Sequence, residues 1–214
     1  MTIDHVVVDI EIQKTIEETP GGWNATDKLG VACACIWQYS AQRMRIYGPD
    51  DVEALRARLL RADRISGYNI FNFDFPVIWG IAKPEWSSTP ERPPDSVDPV
   101  EDSLCHRLKR ELLPKTNDLL RRIWQAEGFN PDVFTKGMGG AKLDDIASAT
   151  IGSHKIGNGA DAPKWFQAGQ WAKVANYCAD DVAIERDLVD FVDRYGYVIK
   201  GGEKLHLKGT NNGI

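Results

Sequence analysis

The sequence has no apolar run approaching the length a membrane helix needs, so no membrane-spanning helix is expected. Its first residues lack the basic, then apolar, then small-residue order of a secretion signal. Cysteine is scarce: only Cys33, Cys35, Cys105 and Cys178 are present, at spacings that match no zinc pattern. A chain of 214 residues does not need disulfide staples, so four buried thiols in a reducing cytoplasm are expected. There is also no excess of basic charge. The net charge is −5, whereas proteins that hold nucleic acid by general electrostatics are more often basic. Acidity is still compatible with a nucleic-acid enzyme whose acids are concentrated at a metal site, because divalent cations invert the local field. Internal repeats and low-complexity tracts are absent as well.

What is present is the composition of a globular domain, 43% hydrophobic and 27% charged. The length suits one domain over 1–214 with a full core. Val6 to Ile12 predicts a strand, Leu29 to Tyr39 a second and Met44 to Gly48 a third. Pro49-Asp50-Asp51 opens a helix with acids at the positive end of its dipole, and "VEALRARLLRA" continues it. "RISGYNI" starts as a short strand and breaks at Gly67, and "FDFPVIWGIA" predicts a helix with Pro76 in its first turn. The order β-β-β-α-β-α suggests an antiparallel meander followed by a parallel addition. Lys83 to Asp102, with five prolines, reads as a surface loop inserted in the domain. Helices are expected over Ser103–Leu113, Asp118–Glu127, Leu143–Ile151 and Gln170–Tyr195, with a hairpin or frayed tail over 197–214. Arg107, Lys109, Arg110, Lys115, Arg121 and Arg122 form a basic segment, read as a solvated helix face rather than a phosphate contact.

The informative residues are acids in apolar surroundings. In "HVVVDIEI", strand periodicity puts Asp9 and Glu11 on one face with Val7, and Val6, Val8, Ile10 and Ile12 on the other. The apolar first half predicts a central strand with the acids at its end. In "GYNIFNFDFPVIW", Asp74 is surrounded by Phe73, Phe75, Pro76, Val77 and Ile78, as a helix cap or a functional carboxylate. On the last long helix, a step of about 100° per residue puts Asp181 inside the apolar stripe and Asp180 outside it. Tyr177 lies one turn before Asp181. Glu185 also falls inside the stripe, to be explained by an arginine partner or a turn of the face. No Lys or Arg stands beside these acids in sequence, and inward carboxylates repel unless something positive joins them. All-carboxylate ligation points to a hard cation such as Mg²⁺ or Mn²⁺. Such ions, with open positions, serve phosphoryl chemistry.

"VVVDIEI", "GYNIFNFDFPVI" and "YCADDV", in this order, resemble the three exonuclease motifs of the DEDD superfamily, and Tyr177 four residues before Asp181 resembles its tyrosine subclass. The middle motif is similar to that of the proofreading exonuclease domain of family B DNA polymerases. "KLDDIASATIG" followed by Lys155 resembles the helix before that domain's last motif. The resemblance runs from the first strand through the long helix and suggests a stand-alone relative. It implies an α/β, ribonuclease H-like fold, with a mixed central sheet and surrounding helices. It also implies a metal-dependent 3′–5′ exonuclease with two divalent cations, Mg²⁺ or Mn²⁺. Asp9, Glu11 and Asp181 would hold one ion, and Asp9 with Asp74, directly or through water, the other. Water would attack the last phosphodiester in line, oriented by Tyr177 and Glu11, and a 5′-mononucleotide would leave. Asn69 and Phe73 match positions near the substrate strand, where Phe73 could stack on terminal bases. The expected partner is a single-stranded DNA 3′ end. RNA trimming, and a catalytically silent nucleic-acid or protein-binding scaffold of the same fold, are the alternatives.

Overall fold

Strand β1 (His5–Ile12) carries three successive valines, all fully buried, so both of its faces are covered. It is the centre of a five-stranded sheet. The computed structural model describes residues 3–88, 103–133, 135–136 and 138–208. A short helix α1 (Thr26–Leu29) leads into β2 (Val31–Gln38), which pairs antiparallel with β1. β3 (Arg43–Tyr47) completes the meander. Helix α2 (Val52–Arg61) then crosses to β4 (Arg64–Gly67), which lies parallel to β1 on its other side. A π-helical turn over Ile70–Asp74 runs into α3 (Phe75–Trp79). Apart from α1, this is the order of elements expected from the sequence.

The remaining helices are α4 (Lys83–Ser88), α5 (Leu104–Leu112), α6 (Leu119–Ala126), α7 (Leu143–Ile151), α8 (Ala162–Gln167) and α9 (Trp171–Tyr195). β5 (Thr116–Asp118), absent from the sequence expectation, adds parallel to β4 and closes the sheet order β3-β2-β1-β4-β5. Three residues are too few to show an alternating pattern, and this strand is specified by its neighbours: Asn117 Nδ2 donates to Ser66 Oγ on β4 at 3.0 Å. β6 (Tyr197–Lys200) and β7 (Glu203–His206) form the hairpin expected in the tail. Among the described residues, no helix is long and apolar enough to cross a membrane.

The alternation along β1 divides the core as expected. Val6, Val8 and Ile10 pack with Leu55 and Leu59 of α2 and with Phe75 and Ile78 of α3. Val7, on the opposite face, packs with Cys33 and Cys35 of β2 and with Val174, Cys178 and Val182 of α9. A third cluster joins α6, α7, α9 and β6 through Leu119, Ile146, Leu188 and Val198. The face of β1 that carries Asp9 and Glu11 is therefore the one α9 covers.

Two expectations are corrected. The segment from Lys83 does not start as a surface loop. It forms α4, whose Trp86 is fully buried and 5.3 Å from the Phe71 ring, while 89–102 lie outside the described residues. The basic segment is a solvated face only in part: Arg107 is exposed and Arg110, Lys115 and Arg122 are half-buried. Lys109 and Arg121 are buried, with Lys109 Nζ 5.4 Å from the Trp86 ring centre and the Arg121 guanidinium 4.4 Å from that of Phe71. Aromatic rings supplied by α4 and the turn before α3 let these cations turn inward, which charge spacing alone does not reveal.

Candidate metal centre

Asp9 and Glu11 stand in the second half of β1, where the register against β2 shifts between Glu11 and Ile12. Such an irregularity re-aims side chains at a strand end. α9 is seated on this strand: the Cys178 thiol donates to the Asp9 carbonyl at 3.4 Å, and Cys35 on β2 donates to the Ala175 carbonyl at 3.8 Å. One turn further along α9, Asp181 reaches the acids of β1. Oxygens of Asp9, Glu11 and Asp181 lie within 4.8 Å of one another. Asp180 is exposed, as its helical angle required.

Asp74 is not a member of that trio. It ends the π-helical turn, is buried, and lies close enough to Asp9 for the Asp9 charge to act on it. A π turn widens the helix by one residue per turn and is often found at functional sites. The segment that delivers Asp74 is anchored from β5. Asp118 accepts the amide of Asn69 at 2.9 Å and that of Phe71 at 3.0 Å, and caps α6 through the amides of Leu120 and Arg121 at 3.0 and 3.3 Å. Asn69 is held in the left-handed region, with φ of 66°, at the point where β4 hands over to the turn. Gly67 just before it has no room for a side chain: a Cβ would stand 2.4 Å from Ile70 Cγ2 and 2.7 Å from the Val8 carbonyl oxygen.

The electrostatics of the centre are those of uncompensated anions. Burial, then the charge of Asp181, lifts Asp9 to about 8. Burial, then Asp9 and Asp181, pushes Glu11 well above the usual carboxylate range. Asp74 is raised by burial and by Asp9. One oxygen each of Asp9, Asp74 and Asp181 is sealed from solvent without a hydrogen-bond partner. One compensating group is present that no sequence neighbour announced. Lys155 Nζ pairs with Asp181 Oδ2 at 2.5 Å, and the Lys155 amide is held by Asp144 of α7 at 2.7 Å. Burial alone would lower the Lys155 pKa, but the Asp181 and Asp9 charges outweigh it and the group is held as an ammonium. One ammonium does not balance the acids around it. The orphaned oxygens and the all-oxygen donor set therefore fit hard divalent cations.

Tyr177 is buried on α9, edge-on to Trp165 with ring centres 5.7 Å apart. Burial, then Asp181, raises its phenol, so it remains a proton donor at neutral pH. Phe73 is partly buried against the core, and its ring meets Trp23 at 5.9 Å and 60°. Trp23, in the connection after β1, is 61% exposed, so this pair offers an open aromatic face at the residue preceding Asp74. All seven residues singled out from the sequence therefore lie on the elements around this centre. Asp9, Glu11 and Asp181 converge, Asp74 flanks them, and Asn69 is engaged through its backbone. Sequence reasoning missed Lys155 as a counter-charge, Asp118 as the anchor, and Trp23. A second convergence was not signalled by spacing either: the thiols of Cys33, Cys35 and Cys178, all free, lie within 4.8 Å of one another beneath α9.

No protein-family model matches the sequence, nor does any curated protein. Among solved structures, the family B DNA polymerase of the hyperthermophilic archaeon Pyrobaculum calidifontis matches 90% of this chain with a TM-score of 0.54 and 16% identity. The match takes up 25% of that polymerase, so this chain spans about a quarter of its length. At such identity the likeness speaks to architecture alone: a mixed five-stranded sheet with surrounding helices, an α/β fold of the ribonuclease H-like kind.

Proposed function

We propose that this chain is a metal-dependent 3′–5′ exonuclease of the DEDD type, tyrosine subclass, acting on single-stranded DNA ends. The observation that carries the proposal is the meeting of Asp9, Glu11 and Asp181 within 4.8 Å, from a strand and a helix at opposite ends of the chain. Asp74 stands beside them. Two ions held by these acids would supply a lowered water pKa and neutralise charge on the attacking and leaving oxygens. Everything else is done by the chain itself. Glu11 accepts a hydrogen bond from the attacking water, and the protonated Tyr177 hydroxyl donates one to it, fixing its line of approach. Lys155, already an ammonium, can lend charge to a phosphate oxygen. Phe73 and Trp23 give terminal bases a surface to stack on, which suits a single strand because every base has a π-face. DNA is preferred over RNA on the likeness to a DNA polymerase.

The test uses 5′-labelled DNA and RNA oligonucleotides with Mg²⁺, Mn²⁺ or a chelator. Stepwise shortening from the 3′ end, dependent on the ion, is expected. Oligonucleotides left intact under every metal condition would end this proposal and favour a silent scaffold. Tyr177→Phe should slow cleavage on the order of 10²-fold, the usual cost of one positioned donor. Calorimetric Mn²⁺ binding by that variant should match the wild type; loss of binding would assign the tyrosine a different role. Trp23→Ala should weaken binding of a labelled single strand by roughly tenfold, within the range for one lost base stack. Fluorescence anisotropy in an Asp9→Ala background measures this without cleavage, and unchanged binding would remove Trp23 from the strand path.

A further inference from the structure

Glu185 takes no part in the chemistry above, yet it is among the least accessible acids of the molecule. It lies one turn after Asp181 on α9, is 1% exposed, and its Oε2 is sealed from solvent without a hydrogen-bond partner. Among the described residues, no arginine pairs with it. The cation that acts on it is Lys155, which is already bonded to Asp181. The other charges that act on it are those of Asp9, Asp74 and Asp181, in that order, and with burial they hold its carboxyl well above the usual range.

Its location follows from Gly67. A Cβ on Gly67 would stand 3.3 Å from Glu185 Oε2 and 2.7 Å from the Val8 carbonyl oxygen. The carboxylate thus lies over the end of β4, where the glycine leaves space between α9 and β1. It is on the side of Asp9 from which the Ile70–Asp74 turn departs. Asp9, Asp74 and Glu185 each keep one buried oxygen, Oδ2, Oδ1 and Oε2 respectively, without a partner. The charges of Asp9 and Asp74 act on Glu185, although the oxygens of these three do not converge within 4.8 Å as those of Asp9, Glu11 and Asp181 do.

We infer that Glu185 is a fifth carboxylate of the centre, holding the second divalent cation together with Asp9 and Asp74, directly or through one water. This rests on the two-ion proposal above. A neutral, protonated Glu185 that merely fills space would make a different prediction, and Glu185→Gln separates the two because it keeps shape and removes charge.

The measurement is Mn²⁺ binding, by calorimetry and electron paramagnetic resonance, to the wild-type and Glu185→Gln proteins. The wild type should bind two ions. Glu185→Gln should keep one site unchanged and lose at least tenfold in affinity at the other, a loss of the size seen when a supporting ligand is removed. Two wild-type-like sites in Glu185→Gln overturn this inference and leave the exonuclease proposal standing. No uptake by the wild type defeats both. Diffraction from wild-type crystals soaked in Mn²⁺ needs no variant. An anomalous peak within coordination or one-water reach of Glu185, Asp9 and Asp74 supports the assignment, and two peaks both confined to Asp9, Glu11 and Asp181 refute it.

Discussion

Asp9→Asn should yield a folded protein that no longer shortens a DNA strand. Asp9 is the one acid shared by both proposed ion sites, so its loss weakens them together. The expected fall in kcat is on the order of 10³-fold or more, about 4 kcal/mol of lost transition-state stabilisation. The same substitution should make the metal-free protein more stable. Burial and Asp181 lift Asp9 from 3.8 to about 8 in the folded state, so between those values the folded chain binds more protons than the unfolded one. Stability held below pH 4 is then lost as the pH rises toward about 8. Asparagine carries no such proton. In chelator at pH 8, Asp9→Asn should therefore melt above the wild type, by a margin worth about 2 kcal/mol or more. Adding Mn²⁺ should reverse the order, because the wild type gains binding free energy that the variant cannot. Thermal melts at pH 5 and pH 8, with and without metal, check both signs. Wild-type cleavage by Asp9→Asn would refute the assignment outright.

The largest loss of stability is expected from Asp118→Asn, at a residue with no proposed part in the chemistry. Its buried carboxylate accepts amides from both the Asn69–Asp74 segment and the first turn of α6. Asparagine keeps the shape but turns an NH₂ group toward a backbone N–H group, setting donor against donor. Hydrogen bonds to a charged acceptor contribute about 1.5–3 kcal/mol each, and a buried amide left unpaired costs about 1–3 kcal/mol. With its oxygen kept toward the three amides that Oδ1 holds, the NH₂ group orphans the Phe71 amide, and unfolding in urea should show a loss of about 3 kcal/mol. Cleavage should fall as well, because the turn that delivers Asp74 loses one of its tethers. A variant with the wild-type urea midpoint would show that the turn is held by its packing instead.

The acids at the centre were legible because they violate local patterns. A strand of buried valines that ends in Asp9 and Glu11, and a helix whose apolar stripe includes Asp181, announce themselves by a period of two residues or of 100°. The burial of Glu185 was legible in the same way, although its surroundings were not. The residues that were missed have ordinary sequence contexts. Lys155 sits in a polar loop, Asp118 resembles any helix cap, and Trp86 begins a proline-rich stretch. The basic residues of α5 and α6 have the spacing of an exposed face.

What the sequence alone determined was the order of the main strands and helices and the direction in which Asp9, Glu11 and Asp181 point, since both follow from backbone periodicity within a single element. Only the tertiary structure decided which groups meet. It seated α9 on β1, brought Lys155 to Asp181, and hung the Asp74 turn from Asp118 on a three-residue strand. Those contacts join residues far apart in the chain, and their free energy exists only once the core has fixed the distances between them.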